Sequence, residues 1–262
     1  MMRIAHMVKP VVVSRHSDLR LAQPVTFESM RRARDFAGPT LEVELLAAHF
    51  PEDHGMVPDD FTRTPDLSRS VLDFGRFSKP NRLPLLRDML DRLYETSRAD
   101  YFIYSNVDIA VLPNFYVTVA AMLERGHDAL VINRRTLSTE FTKPEQLPLM
   151  YAQLGKQHPG RDCFVWRRKV YPNYKLENTC IGTGGGGKVM LVNQLCHAKS
   201  FIELTDAHLT FHLGDSRAWR EQTKDDYRAH NIEQLRKVVD YYRERKLLPE
   251  HPSLGFIERK GI

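Results

Sequence analysis

The chain has 262 residues, of which 42% are hydrophobic and 27% charged, and this balance argues against a mainly disordered protein. One large globular domain, with or without a short extension, fits the length. The net charge of +5 is spread along the chain. Nucleic acid is therefore not an expected partner, and the short basic runs are typical of solvated surface: Arg31-Arg32, Arg134-Arg135 and Arg167-Arg168-Lys169.

No leader or membrane segment is indicated by the sequence. The first ten residues lack the apolar core of a signal peptide. The most apolar stretch, residues 101–123, is interrupted by Asp108 and Pro113, which argues against a transmembrane helix. The three cysteines form no C-x-x-C pair and suit a reducing compartment. We therefore expect a cytoplasmic protein with no transmembrane segment.

Strand-like and helix-like segments alternate in the first half of the chain. Residues 4–13, which are rich in valine and isoleucine, predict a first strand that ends in the polar loop 14–18. A helix is predicted from Gln23 to about Ala37, a second strand over 41–50, and a surface loop over 52–65.

Helical periodicity is clearest after Pro84. Leucine and methionine at 86, 89, 90 and 93 define one apolar helix face. Residues 101–104 then predict a buried parallel strand, followed by a helix that opens at Pro113-Asn114 and a strand over 129–133. This alternation predicts βαβ units and a mainly parallel sheet.

The second half of the chain is less regular. Short strands are predicted near 163–166 and 209–213. A charged amphipathic helix is predicted from Gln222 to Arg245, and its apolar side is formed by Leu235, Val238, Val239 and Tyr242.

Asp108 is the most informative residue. Only Ser105-Asn106-Val107 separate it from the apolar strand 101–104, and ligands of parallel α/β sheets bind at the carboxyl ends of the strands. A carboxylate is costly to desolvate unless it is paired or binds a metal, and Mg²⁺ and Mn²⁺ prefer oxygen ligands. A helix cap or an ion pair with arginine is the alternative role for Asp108.

The segment 99–108, with Ser105-Asn106-Val107-Asp108 at its end, resembles the D-x-D segment of glycosyltransferases with the GT-A (nucleotide-diphospho-sugar transferase) fold. The resemblance implies that Asp108 binds a divalent metal, Mn²⁺ or Mg²⁺, that holds the diphosphate of the donor. Asn106 departs from the pattern, because an amide stands where the family has its first acid. The resemblance also implies that His212 completes the metal site.

Asp162 is the candidate catalytic residue. The resemblance places an acceptor-side carboxylate at Gly160-Arg161-Asp162, and such a group deprotonates the acceptor hydroxyl in an inverting transferase. An ordinary turn aspartate is the alternative. For the donor, the resemblance implies binding by Asn106 and Asp108, and by Lys9 and Arg15 in the loop after the first strand. Arg82 precedes the Asp108 strand and is a further candidate for the diphosphate, while a surface charge is the alternative role for each of these cations.

The stretch Gly182–Lys188 satisfies the P-loop pattern G-x-x-x-x-G-K. The following residue, Val189, lacks the hydroxyl that binds Mg²⁺, and the preceding segment is too polar for a P-loop strand. We therefore expect a mobile loop near the acceptor or over the donor. P-loop phosphotransfer that uses Lys188 stays an alternative.

Together these patterns predict an α/β, GT-A-like single domain whose mixed, mostly parallel sheet is flanked by helices. Residues 1–215 are expected to form the catalytic domain and 216–262 a helical extension packed on it. The expected function is metal-assisted transfer of a sugar from a nucleotide-diphosphate donor to a hydroxyl acceptor, a glycan or a small molecule. A non-catalytic sugar-nucleotide-binding protein of the same fold is the other alternative, because Asn106 replaces an acid.

Overall fold

The structure, a computed structural model, describes residues 1–214 and 225–262. The described strands are β1 (Met2–Val8), β2 (Leu41–Ala47), β3 (Thr62–Arg63), β4 (Tyr101–Ser105), β5 (Ala110–Val111), β6 (Ala129–Leu137), β7 (Lys156–Arg167), β8 (Phe201–Leu204) and β9 (Thr210–Leu213). The described α-helices are α1 (Leu19–Ala37), α2 (Leu86–Thr96), α3 (Phe115–Glu124), α4 (Leu147–Tyr151), α5 (Gly186–His197), α6 (Asp225–Glu244) and α7 (Phe256–Arg259).

All nine of these strands belong to one mixed sheet, in which eight follow the order β3-β2-β1-β4-β7-β6-β9-β5 and β8 pairs with β6 beside this path. Strands β3, β2, β1 and β4 run parallel to one another, whereas β7 runs antiparallel between β4 and β6. Strands β8 and β9 both pair with β6 in parallel, β8 along residues 129–132 and β9 along 135–137. The predicted α/β class and mixed, mostly parallel sheet are confirmed.

Helices cover both faces of the sheet, which explains why the central strands are apolar at nearly every position. Neighbouring residues of a strand point to opposite faces. Ile103 packs in the core with α1 and α3, while Phe102 packs with α2, α5 and α6. On β7, Val165 likewise packs on the α1 and α3 side, and Trp166 on the side of α2, α5 and α6.

The first strand and the first helix have different ends from those predicted. Strand β1 ends at Val8, because the next residues turn towards neighbouring side chains: the Val12 N–H donates to Asp53 Oδ1 (2.8 Å). Helix α1 begins at Leu19, before the predicted start at Gln23, and Pro24 lies inside it. Its first turn is already closed before the proline, since the Ala22 N–H donates to the Asp18 carbonyl (3.0 Å).

Strand β7 is three times as long as the apolar segment that predicted it, with 12 residues. Pairing with β4 and β6 on its two edges extends it through polar residues. Asp162 therefore lies inside a strand, and its alternative role as an ordinary turn aspartate is wrong.

Helix α6 covers the described part of the predicted C-terminal helix. Its buried side includes the apolar residues that its periodicity indicated, and they join the core of the α2 and α5 face: Leu235, Val238, Val239 and Tyr242. The predicted helix start at Gln222 and the domain boundary between 215 and 216 lie outside the described residues, so the division into a domain and an extension stays a prediction.

In the described parts of the chain, no helix combines the length and the apolar character that crossing a membrane requires.

Candidate active site

The sheet brings the residues after β1 and β4 to one edge. Strands β1 and β4 are parallel, with Met7 paired to Tyr104, so both carboxyl ends face the same side. Lys9 follows β1, and Asn106 and Asp108 follow β4. This edge is where parallel α/β proteins bind ligands.

Asp108 and His212 meet at this edge. Strand β9 places His212 so that its Nε2 lies 3.3 Å from Asp108 Oδ2. The other ring nitrogen, Nδ1, donates to the Gly214 carbonyl (2.8 Å). Because a carbonyl can only accept, this bond fixes the proton of a neutral imidazole on Nδ1 and leaves the Nε2 lone pair facing Asp108.

The pair shifts the pKa values of its two members in opposite directions. Burial opposes ionisation of Asp108, but the hydrogen bond and charge of His212 outweigh it and lower the pKa of the carboxyl. Burial likewise lowers the pKa of His212, but Asp108 outweighs that effect and leaves it raised. Each member of the pair therefore favours the charged form of the other.

Asn106 connects the site to Asp162. Its Oδ1 accepts from the Tyr104 hydroxyl (3.0 Å), and its Nδ2 donates to Asp162 Oδ1 (3.0 Å). The second carboxylate oxygen of Asp162 forms an ion pair with Arg134. Asn106 is thus held at both ends of its amide by a donor and by an acceptor.

Asp162 is nearly enclosed, with its side chain 14% exposed. Burial raises the pKa of its carboxyl, Arg134 opposes this, and the nearby charge of Asp108 adds to the rise. The structure therefore brings Asn106, Asp108, Asp162 and His212 together, although Asp162 arrives from the middle of β7.

Lys9 and Arg82 form a second group around Phe50. The Lys9 ammonium lies 2.6 Å from Asp53 Oδ2 in an ion pair whose side chains are 11% and 4% exposed. The Arg82 guanidinium lies 2.8 Å from Glu52 and 4.1 Å from the centre of the Phe50 ring, which Lys9 also approaches (5.2 Å). Both predicted donor cations therefore already have carboxylate partners.

Arg15 lies apart from these groups, in the exposed turn before α1. The structure shows no contact between Arg15 and the Asp108 group.

Arg134 was missed by the sequence analysis, which assigned it with Arg135 to the solvated surface. That assignment is wrong. The Arg134 side chain is 16% exposed and Arg135 10%, because β6 is longer than predicted and carries both into the folded edge. The Nε atom of Arg134 is buried without a hydrogen-bond partner in the described residues. No sequence signal separated this arginine from a surface one.

His6 on β1 is hydrogen-bonded to the end of β4, next to the site. It is fully buried, with Nε2 2.8 Å from Ser105 Oγ and Nδ1 2.9 Å from the Tyr116 hydroxyl. Burial lowers the pKa of His6 to about 3. A neutral imidazole therefore ties β1 to the residue just before Asn106.

Residues 182–185 of the Gly-rich stretch form a bend and a turn that lead into a helix. The expectation that this loop is mobile and lies near the acceptor or over the donor stays a prediction. Gly186 begins α5, and the Asn231 side chain donates to the Gly184 carbonyl (3.2 Å). A P-loop requires a preceding strand, but residues 174–181 form none beyond a single bridge between Leu85 and Cys180. The strand–loop–helix arrangement that a P-loop needs is therefore absent at residues 174–188.

The ligand atoms at the edge fit a divalent metal. Among residues 1–214 and 225–262, no three histidine, cysteine or acidic side chains cluster in a way that could hold a metal ion. Asp108 and His212 nevertheless offer a carboxylate and an imidazole lone pair side by side, with the imidazole orientated by a backbone carbonyl. Two protein ligands suffice where a substrate diphosphate and water complete the coordination.

Comparison with known proteins finds similarity in structure but not in sequence. No family model matches the chain, and no curated protein is similar to it in sequence. Among solved structures, S. aureus TarS 1–349 in complex with UDP-GlcNAc gives a TM-score of 0.54 at 9% identity, with 92% of this chain and 72% of that chain covered.

Two further structures are similar at lower scores. S. aureus TarS 1–349 in a second structure gives 0.48 at 9% identity, with 81% of this chain and 60% of that chain covered. Glucosyl-3-phosphoglycerate synthase from Mycobacterium tuberculosis, in complex with Mn²⁺, UDP and glucosyl-3-phosphoglycerate, gives 0.49 at 12% identity, with 95% and 81% covered. The TarS match with a TM-score of 0.54 shows that the chain has the GT-A fold.

Proposed function

We propose that this protein is a glycosyltransferase that moves a sugar from a nucleotide-diphosphate donor to a hydroxyl acceptor with the help of a divalent metal. The observation that carries the proposal is the Asp108–His212 pair at the carboxyl edge of the sheet. TarS, which shares the fold, binds UDP-GlcNAc, and this supports a nucleotide-sugar donor.

Asp108 and His212 would hold Mn²⁺ or Mg²⁺. The metal, when bound, stabilises the charge of the departing diphosphate as a Lewis acid. The chain prepares for it by holding the His212 proton on Nδ1 through the Gly214 carbonyl. Asn106 would act by positioning, because its hydrogen bonds to Tyr104 and Asp162 hold the end of β4 in place.

Lys9, Arg15 and Arg82 are the proposed donor-binding cations. Lys9 and Arg82 border the same edge as Asp108, and Arg82 is exposed enough to exchange its Glu52 partner for a phosphate. Lys9 is paired with Asp53, so it would bind a donor phosphate by exchanging or sharing this partner.

Asp162 is the proposed acceptor-side carboxylate. Its raised pKa favours proton acceptance from a hydroxyl, as a general base requires. Arg134 and Asn106 each occupy one oxygen, which leaves further lone pairs on both. These bonds orient the carboxylate for an acceptor hydroxyl.

The proposal is tested by thermal shift with UDP-, GDP- and CMP-sugars, with and without Mn²⁺. We expect one diphosphate donor to raise the melting temperature, and the rise to require the metal. Asp108→Asn should abolish the metal-dependent part of the shift. The matched control is Asp59→Asn, which removes the same charge from a fully exposed side chain. Equal shifts in Asp108→Asn and in wild type would refute the metal role.

A second measurement separates binding from turnover. Release of the nucleoside diphosphate from the donor that binds should fall strongly in Asp162→Asn, while donor binding is retained. The non-catalytic alternative would be favoured if the wild-type protein binds the donor but releases no nucleoside diphosphate, whether or not candidate acceptors are present. A cytoplasmic location stays a prediction from the sequence.

A further inference from the structure

Residues 75–83 form neither helix nor strand and lie against the start of helix α6. The Phe77 ring stacks on the ring of Tyr227, with the ring centres 4.1 Å apart. The N–H and the hydroxyl of Ser78 both donate to Asp226 Oδ2, at 2.7 and 2.8 Å. These residues, which we refer to as the docked segment, are therefore held by the first turn of a helix that lies far away in sequence.

The Tyr227 hydroxyl holds the backbone of the docked segment. It accepts from the Asn81 N–H (2.6 Å) and donates to the Lys79 carbonyl (2.8 Å), and a phenol can make both bonds at once. The tyrosine itself is fully buried. Phenylalanine at position 227 would therefore keep the ring stack and leave both backbone groups without this partner.

Arg82 directly follows the backbone group that Tyr227 holds. Asn81, on one side of it, is bonded to the Tyr227 hydroxyl, and Leu83, on the other side, packs with Tyr227 in one buried cluster. The Arg82 side chain is 41% exposed and lies over the Phe50 ring, 4.1 Å from its centre. The backbone of Arg82 is thus fixed by α6, while its guanidinium lies at the donor edge of the sheet.

Helix α6 also anchors the chain just beyond the docked segment. Asn231, which lies one turn after Tyr227 and is fully buried, accepts from the Cys180 N–H and donates to the Cys180 carbonyl, both at 2.9 Å. Cys180 in turn forms a β-bridge with Leu85. Two buried side chains of α6 therefore hold the chain on both sides of Arg82.

This arrangement affects binding, because a long side chain loses conformational freedom when it binds a phosphate. Ordering the backbone that carries the side chain adds to that loss, and a backbone that is already ordered avoids the addition. Arg82 is paired with Glu52 and must keep its guanidinium at the edge while it changes partner. A fixed backbone at position 82 therefore favours phosphate binding without any contact between Tyr227 and the ligand.

We propose that Tyr227 is a positioning residue for donor binding, because it fixes Arg82 through the docked segment. Donor binding at Arg82 and attachment of the docked segment to α6 then stabilise each other, since the coupling between two equilibria is reciprocal. The donor role of Arg82 rests on the proposed function, whereas attachment of the segment by the Tyr227 hydroxyl does not.

Amide hydrogen exchange of residues 78–83 in the full chain, without nucleotide, tests the attachment. Tyr227→Phe should speed this exchange by about tenfold, the effect of one lost hydrogen bond. The matched control is Tyr242→Phe, which removes another buried hydroxyl from the same helix; that hydroxyl is bonded to Asn193 Oδ1 (2.5 Å). The control should leave exchange of residues 78–83 unchanged. Equal exchange in Tyr227→Phe and wild type would overturn the inference, whether or not a nucleotide binds.

Titration calorimetry with UDP and with GDP, each with Mn²⁺, tests the donor role. Arg82→Gln should weaken nucleotide binding by about tenfold, the effect of losing one charged hydrogen bond. Tyr227→Phe should weaken it by about fivefold, less than removal of the arginine itself, and Tyr242→Phe should leave it unchanged. Added to Arg82→Gln, Tyr227→Phe should have no further effect, because both changes act on the same contact. An affinity that Tyr227→Phe leaves unchanged, or that Tyr242→Phe lowers equally, would overturn the inference.

The two measurements distinguish this proposal from the proposed function. Faster exchange in Tyr227→Phe, with no binding of either nucleotide by the wild type, would refute the nucleotide-diphosphate donor and leave Tyr227 a purely structural role. Binding that Asp108→Asn weakens and Tyr227→Phe does not would support the proposed function and overturn the positioning role. Bound nucleotide should also slow exchange at the start of α6 in wild type but not in Arg82→Gln, and an unchanged wild-type rate would contradict the reciprocal coupling.

Discussion

Asn106→Asp would restore the acid that the D-x-D pattern has at its first position, and the structure predicts that it destabilises the protein. The Asn106 amide nitrogen lies 3.0 Å from Asp162 Oδ1 and donates to it. An aspartate of the same shape would place a second carboxylate oxygen there. The hydrogen bond would be replaced by a contact between two negative charges.

The size of the effect follows from that distance. Two unit charges about 3 Å apart repel by about 5 kcal/mol at an effective dielectric constant of about 20, and by about 1.4 kcal/mol in water. Arg134 is paired with Asp162 and offsets part of the repulsion, while the lost hydrogen bond adds about 1 kcal/mol. We expect a loss of about 3 kcal/mol in the free energy of unfolding at pH 7.

The loss should depend on pH in a definite direction. Repulsion raises the carboxyl pKa of the pair in the folded state above its value of about 4 in the unfolded state. A carboxyl whose folded pKa is raised destabilises only when it ionises, so the variant should match wild type below pH about 4. The deficit should then grow as the pH rises through the folded pKa.

Urea unfolding followed by tryptophan fluorescence measures this, since Trp166 is fully buried. The double variant Asn106→Asp, Asp162→Asn removes the like-charge contact and should recover most of the lost stability. An Asn106→Asp protein that is as stable as wild type from pH 4 to pH 8 would refute the argument that Asp162 requires an amide at position 106.

Three further predictions concern the support of the site. Asp53→Ala leaves the nearly buried Lys9 ammonium and the Val12 N–H without their partner, and urea unfolding should show a loss of about 3 kcal/mol. Burial lowers the pKa of His6 to about 3, so its contribution to the free energy of unfolding is full above pH about 6.5 and is lost as the pH falls towards 3, by up to about 1.4 kcal/mol per pH unit. His6→Gln should flatten this pH dependence of the free energy of unfolding. An unchanged pH dependence in the variant would contradict the argument. Gly185→Ala should lower the melting temperature more than Gly126→Ala. Both glycines have positive φ, but only a side chain at position 185 would contact Asn231. Equal decreases in melting temperature would show that this contact has no effect.

Much of the fold could be predicted from the sequence because its signals are local. The helix face of α2 and the strand β4 follow from side-chain periodicity alone, and both lie where the spacing placed them. The ends of β1, β7 and α1 could not be predicted. They depend on bonds to distant residues such as Asp53, or on pairing with β4 and β6, and neither leaves a local pattern.

The candidate site divides in the same way. Asp108 was found because a charge directly after an apolar strand is conspicuous in any sequence, and His212 because the resemblance implied a histidine late in the domain. Arg134 looked like a surface residue, since its burial beside Asp162 arises from the pairing of β6 with β7.

Local periodicity and composition thus determined the α/β class, the central strand and the carboxylate at its end. Tertiary structure alone decided which groups face that carboxylate and that Asn106 bridges Tyr104 and Asp162. Hydrogen bonds and charges act through space. Their partners are set by how strands and helices pack, which no short stretch of sequence specifies.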